Sequence, residues 1–170
     1  MENLTEIVRR IPIFKGLDDH QFESMLTACH ECTFDEGTVD FTEGDPSTDV
    51  YIIMSGSFQV RSLTGAEIAV IGDTGIVGEM GVLTERPRSA TVVAYRPTRA
   101  LRIGHDALHQ LIEKDSNMGL VVYRNITHIL SDRLRDNNIV LEQQYLILED
   151  LTGDNTSKHG SQPTYAAKIV

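Results

Sequence analysis

Positive charge is what this sequence has little of: 15 Lys and Arg stand against 25 Asp and Glu, a formal net charge of −10. Affinity for nucleic acid comes largely from basic side chains neutralising phosphates, so direct DNA binding is not expected. Long apolar runs are missing as well. No uninterrupted stretch approaches the roughly 18 residues that cross a bilayer. The opening Met1-Glu2-Asn3-Leu4-Thr5-Glu6 carries acids where a secretory leader carries bases. A cytoplasmic protein without a membrane partner is the expectation. Cysteine is scarce: Cys29 and Cys32 form a C-x-x-C spacing around His30 and Glu31, compatible with redox chemistry or half a metal site. A four-ligand site needs more than this pair, His30 and His20. The thiols are therefore read as structural, and no metal or cofactor is expected.

With 41% hydrophobic and 24% charged residues in 170 positions, the chain has the composition of an ordinary globular protein, with room for one domain and one long appended element. Residues 2–10 and 18–29 read as helices. The second opens on Asp18 with Gln21 three positions on, close to a capping box. Residues 11–17 form the connecting turn, with Ile13 and Phe14 packed toward the core. From Thr33 to Gly104 the pattern becomes short and alternating. Strands are expected at 33–34, 38–41, 50–55, 58–62, 67–71, 90–94 and 99–103, broken at Asp35-Glu36-Gly37, Glu43-Gly44-Asp45-Pro46, Ser55-Gly56 and Thr64-Gly65. Many short strands at this spacing predict a mainly β member of the α+β class, a β-barrel or jelly roll (double-stranded β-helix) with flanking helices.

One stretch, 72–94, interrupts the strands with a glycine-opened turn, a short helical run and Pro87-Arg88-Ser89. A Gly before a helix start leaves backbone N–H groups free to face an anion. Arg88 brings a planar fork of donors that matches two phosphate oxygens, and Pro87 holds Arg86 extended. Arg86 and Arg96 compete for the same role, and a surface arginine paired with an acid is the plain alternative. Glu79, an acceptor-only group, suits the hydroxyls of a sugar, or else it answers the helix dipole. The candidate ligand contacts here are Gly78, Glu79 and Arg88, with Met80 beside them in the same turn. Phosphate and sugar on one loop point to a nucleotide.

Gly78-Glu79, Leu83 and Pro87-Arg88-Ser89-Ala90-Thr91-Val92 resemble the phosphate-binding cassette of cyclic-nucleotide-binding domains. Ile11-Pro12-Ile13-Phe14, Gly16-Leu17, Gly37, Glu43-Gly44-Asp45 and Tyr51-Ile52-Ile53-Met54-Ser55-Gly56 match the same family upstream, so the similarity covers roughly residues 7–150. The resemblance implies a β-barrel domain in which Glu79 binds the ribose 2′-hydroxyl, Arg88 the cyclic phosphate, and Ser89 also touches the ligand.

After Gly104 a helix is expected over about 106–113 and a long one over about 117–149. Tyr123, Thr127, Leu130, Leu134, Asn137, Leu141, Gln144 and Leu148 alternate in steps of four and three, a coiled-coil seam that predicts a parallel homodimer. A second stripe, Val122, Ile126, Ile129, Val140 and Ile147, covers the barrel mouth or widens that interface. The run Arg133-Leu134-Arg135-Asp136-Asn137-Asn138 resembles the segment with which catabolite-activator-like regulators reach the adenine of cyclic AMP. By that resemblance Asn137 and Asn138 take the places of hydroxyl residues; equally, Asn137 is a polar seam residue that sets register.

The expected organisation is therefore a cyclic-nucleotide-binding domain over 1–150 and a flexible tail over 151–170, too short for the helix-turn-helix domain that follows Leu151-Thr152-Gly153 in such regulators. The expected function is a non-enzymatic sensor for cyclic AMP, or for cyclic GMP, that signals by movement of its C-terminal helix to a downstream protein. The alternative is a structural or partner-binding module whose cassette no longer binds nucleotide. An enzyme is the weakest reading: His105 and His109 have metal-ligand spacing, but a solvated helix face accounts for them.

Overall fold

Two strands far longer than the sequence suggests, β3 (Asp49–Arg61) and β6 (Thr91–Gly104), carry the sheet in the computed structural model, which describes residues 4–152. They pair antiparallel along most of their length. Around them, β1 (His30–Phe34) and β2 (Val39–Phe41) pair with β6, while β4 (Glu67–Ile71) and β5 (Ile76–Val77) pair with β3. The result is a six-stranded antiparallel, jelly-roll-like barrel. Its interior holds Tyr51, Ile53, Phe58, Val77, Val92, Ala94 and Ala100, with Phe34, Phe41 and Val60 packed against them.

The strands expected at 50–55 and 58–62 are one strand, and so are those expected at 90–94 and 99–103. Ser55-Gly56 is not a hairpin. Gly56 lies at φ +97 opposite Pro97, the ladder changes register there, and pairing resumes beyond. Gly bends one strand and Pro, with no N–H to give the ladder, bends the other. Thr98 closes the gap, its buried Oγ1 accepting from Ser57 N–H at 3.0 Å and donating to Ser57 O at 3.1 Å. A Cβ on Gly56 would stand 2.4 Å from Pro97 O and 2.7 Å from Thr98 Cα. Both atoms are backbone, and neither can yield cheaply. Gly56→Ala is expected to cost about 3 kcal/mol or more of unfolding free energy in a denaturant titration. A loss within about 0.5 kcal/mol would show that the bend is not strained by a side chain.

The helices surround this sheet. α1 (Leu4–Arg9) leads into a 3₁₀ turn (Pro12–Phe14) that buries Ile13 and Phe14. In α2 (Asp19–Thr27) Asp18 and Gln21 form the reciprocal capping box read from the sequence. The Gln21 amide also donates to Asp115 at 2.8 Å, and Asp115 in turn accepts from Met118 N–H. One carboxylate therefore links α2, the end of α4 (His105–Lys114) and the start of α5 (Ser116–Thr152). These bonds to its charged form lower the Asp115 pKa.

The described residues fall into two compact units, one ending at Ile129 and the other beginning at Leu130. Within the first, Met118, Val122 and Ile126 of α5 are buried. Asn125 donates to Ile13 O and Lys15 O, so this part of α5 is latched onto the 3₁₀ turn. In the second unit, Leu134, Val140, Leu141, Tyr145, Ile147 and Leu148 are all exposed. No helix among the described residues is long and apolar enough to cross a membrane. Of the tail expected over 151–170, residues 153–170 lie outside the described residues.

Candidate functional site

The residues of the glycine-opened turn are assembled by main-chain bonds on both sides of Arg88. β5 ends at Val77; Gly78 then takes φ +84, and α3 (Glu79–Thr84) begins. Glu85 closes this helix in the left-handed region, and Pro87 follows it. The arm that carries Arg88 is gripped on both sides of that one residue. Arg88 N–H donates to Asp45 O at 2.8 Å, and Gly44 N–H donates to Arg88 O at 2.9 Å. The turn Glu43-Gly44-Asp45 thus sets the position from which the Arg88 side chain departs.

That side chain is 5% exposed, whereas Arg86 and Arg96 are exposed. Its Nη1 donates to Asp49 O at 2.9 Å and to Gly78 O at 3.0 Å. The ring of Phe41 lies 3.8 Å from the guanidinium carbon, a cation–π contact that fixes the plane of the fork. The Nε atom is buried and has no hydrogen-bond partner. Burial lowers the Arg88 pKa from its ordinary value, while Tyr51, Asp40, Asp49 and Glu79 oppose that shift. An arginine starting so high remains charged. The Asp49 carboxylate is held by Arg102 Nε at 2.8 Å and by Thr48 Oγ1 at 2.7 Å. The bond to Asp49 raises the Arg102 pKa.

Glu79, the first residue of α3, is 3% exposed. Met80 and Ser89 are exposed and meet each other, Ser89 Oγ lying 3.7 Å from Met80 Sδ. Gly78, Glu79, Met80, Arg88 and Ser89 are therefore brought to one loop. Asn137 and Asn138 are exposed on α5, in the unit that begins at Leu130.

Several neighbours of Arg88 were not anticipated from the sequence. Phe41 and Tyr51, with rings 27° apart and centroids at 6.4 Å, line the interior beside it. Asp40 precedes Phe41 on β2, and its Oδ2 is buried without a partner. Burial lifts its pKa to about 6. The alternation of β2 was available as a signal for Phe41, but nothing in the sequence marks Asp40. A cavity of about 920 Å³ has Ser47, Asp49, Arg86, Arg102 and His105 on its wall; Glu79, Arg88 and Ser89 do not line it.

The remaining reactive groups have ordinary structural roles. Cys32 Sγ lies 3.4 Å from Ala100 O, and burial pushes the Cys29 thiol up to about 12 and that of Cys32 to about 11. Neither is a thiolate near neutral pH. The rings of His105 and His109 are tilted by 40° with centroids 4.2 Å apart, and His105 Nδ1 lies 3.0 Å from Asp106 Oδ1.

Comparison with known proteins adds to this geometry. The profile of the cyclic nucleotide-binding domain matches residues 31–115, which hold all of the described strands but the first residue of β1, and the Arg88 loop. The chain is 27% identical over 154 residues to a CRP-like cAMP-activated global transcriptional regulator of Mycobacterium tuberculosis; the match covers 88% of this chain and 66% of that protein. The chain thus spans just under two thirds of that relative. Among solved structures, a cyclic nucleotide-binding domain from Methylobacillus flagellatus superposes with a TM-score of 0.72 at 28% identity, covering 82% of each chain. The regulatory domain of Toxoplasma gondii PKA, solved with cAMP, gives a TM-score of 0.58 at 27% identity, over 64% of this chain and 42% of that one.

Proposed function

We propose, from the premise that this chain belongs to the cyclic nucleotide-binding domain family, that it is a non-enzymatic sensor of a purine 3′,5′-cyclic nucleotide, cyclic AMP before cyclic GMP. One observation carries this reading. Arg88 is buried with Nη1 tied to two backbone carbonyls and with Nε left without a partner. A buried donor without an acceptor costs on the order of 1–3 kcal/mol. A phosphate oxygen is the acceptor that this cationic edge matches. Glu79 takes the ribose hydroxyl, and Gly78, Met80 and Ser89 complete the loop around the ligand. Residues 1–150 are the sensor module of a cytoplasmic protein, and its output passes to another protein rather than to DNA.

Titration calorimetry with cyclic AMP and with cyclic GMP tests the proposal. Saturable heat at micromolar ligand is expected, stronger for cyclic AMP. No heat at millimolar concentrations of either would reject it. The Phe41 ring against the guanidinium favours a second reading, a partner-binding module whose cassette takes no nucleotide. The same titration decides between them.

Transmission runs through α5. Leu134, Leu141 and Leu148 recur every seven residues and are exposed at 61%, 61% and 58%, an apolar seam that a second copy of the chain would cover as a parallel homodimer. Asn137 is a polar position of that seam; by the resemblance to catabolite-activator-like regulators, Asn137 and Asn138 serve as base contacts, or else Asn137 sets register. Ligand then favours one arrangement of the helix by its difference in affinity for the two. Burying one leucine contributes about 2 kcal/mol, so Leu141→Asp is expected to weaken the dimer by at least about 30-fold in sedimentation velocity. A chain that sediments as a monomer at high concentration would remove this part of the mechanism.

A further inference from the structure

Ligand binding by the Arg88 loop leaves one half-buried carboxylate, that of Asp40, without a task. β2 carries a bulge: Val39 lies opposite Val93 and Phe41 opposite Val92, so Asp40 is the extra residue. A bulge re-aims the side chain it carries. Here Asp40 is turned so that Oδ2 is shut off from solvent and has no hydrogen-bond partner, next to the residue whose ring covers Arg88. The packing needs no carboxylate at this place, since Phe41 supplies the ring and β2 supplies the pairing. An unpartnered buried carboxylate oxygen is a cost to the free protein.

The charged and titratable groups that act on Asp40 come from each element around it. They are Tyr51, whose hydroxyl hydrogen-bonds the carboxylate and favours its charged form, and Asp49 on β3, Arg88 beyond α3, Arg102 on β6 and Cys32 on β1. None is a histidine. Arg102 is already engaged by the Asp49 carboxylate. Arg88 is thus the cation whose charge helps keep Asp40 ionised in the free protein. An anion seated on Arg88 removes that help and sets a second negative charge in the same interior. Both changes favour the neutral carboxyl group, which has an O–H to donate to an acceptor of the ligand.

We propose that Asp40 belongs to the ligand site and that the site takes up a proton with its ligand, the cyclic nucleotide being held with Asp40 in its neutral acid form. The proton comes from solvent, and no bond of the ligand changes. This proposal rests on the cyclic-nucleotide reading, and its test separates the two.

The direction of the pH dependence follows from linkage. In the free protein burial holds the Asp40 carboxyl at about 6. Below that pH it is already protonated, and affinity is flat. Above it each binding event must bring a proton, so the dissociation constant rises by up to tenfold per pH unit until the pKa of the complex is passed. The cyclic phosphodiester stays a monoanion throughout this range.

Calorimetry of the full chain with cyclic AMP, at pH about 5.5 and about 8 and in PIPES and Tris buffers at one intermediate pH, reads this directly. The expected result is an affinity weaker by about tenfold or more at the higher pH, with an apparent enthalpy that differs between the two buffers. Asp40→Asn is expected to abolish both effects and to bind at the higher pH as the wild type binds at the lower. Wild-type binding with pH-independent affinity and buffer-independent heat would overturn the proposal while leaving the sensor reading intact. A pH slope that survives in Asp40→Asn overturns it too, because the proton then belongs to another group. Absence of binding at every pH rejects the nucleotide reading and this proposal with it. Should the variant fail to fold, the two-buffer comparison on the wild type decides alone.

Discussion

Arg88→Ala is expected to weaken cyclic AMP binding by on the order of 10³-fold, a loss of about 3–5 kcal/mol from two charge-assisted hydrogen bonds. Nη1 is committed to Asp49 O and Gly78 O, the Phe41 ring holds the guanidinium plane, and the Nε edge is left without an acceptor. Removing the side chain deletes the cation and also leaves the two carbonyls without a donor, so some stability should be lost as well. Arg88→Lys separates the two effects. Its ammonium keeps the charge but cannot serve both carbonyls and a phosphate in one plane, and a loss of about 10–100-fold is expected. Thermal unfolding of each variant without ligand shows how much of the change is folding. An Arg88→Ala protein that still melts cooperatively and binds cyclic AMP as the wild type does would sink the assignment.

Gly78→Ala is expected to be nearly as damaging, through a different route. The residue sits at φ +84, where an L side chain is strained by roughly 1–2 kcal/mol. Its Cβ would stand 2.4 Å from Arg88 Nη1 and 2.8 Å from Asp49 O. The methyl group therefore displaces the guanidinium from its anchor, and both melting temperature and cyclic AMP affinity should fall. Gly37→Ala is the matched control. It has φ +83 and nothing within 4 Å of the added atom, so it bears the backbone strain without touching the site. Equal affinities for the two variants would mean that Gly78 shapes the chain and not the ligand pocket.

How far the residues announce this arrangement depends on whether the signal is local. The capping box of Asp18 and Gln21 is legible because both partners lie within one turn. The Arg88 loop is legible because glycine, proline and arginine stand in a short fixed order. The long strands are not: Gly56 and Pro97 each look like an end, and only their meeting across the sheet turns two ends into one bend. β5 is two residues long and offers no period to detect. The grip of Gly44 and Asp45 on Arg88 spans more than 40 positions, and the bulge that turns Asp40 inward depends on the register of β2 against β6. Asn125 resembles any polar helix residue until the carbonyls of Ile13 and Lys15 are placed beside it.

The two main-chain bonds that join Gly44 and Asp45 to Arg88 also bear on how the domain can be engineered. A reporter inserted between those positions and β3 would drag the guanidinium with it, whatever was done to the cassette. The tip at Leu63, Thr64 and Gly65 is exposed, and Gly65 has open space around it. Fluorescent fusions and circular permutations aimed at an optical readout of ligand therefore belong at that tip.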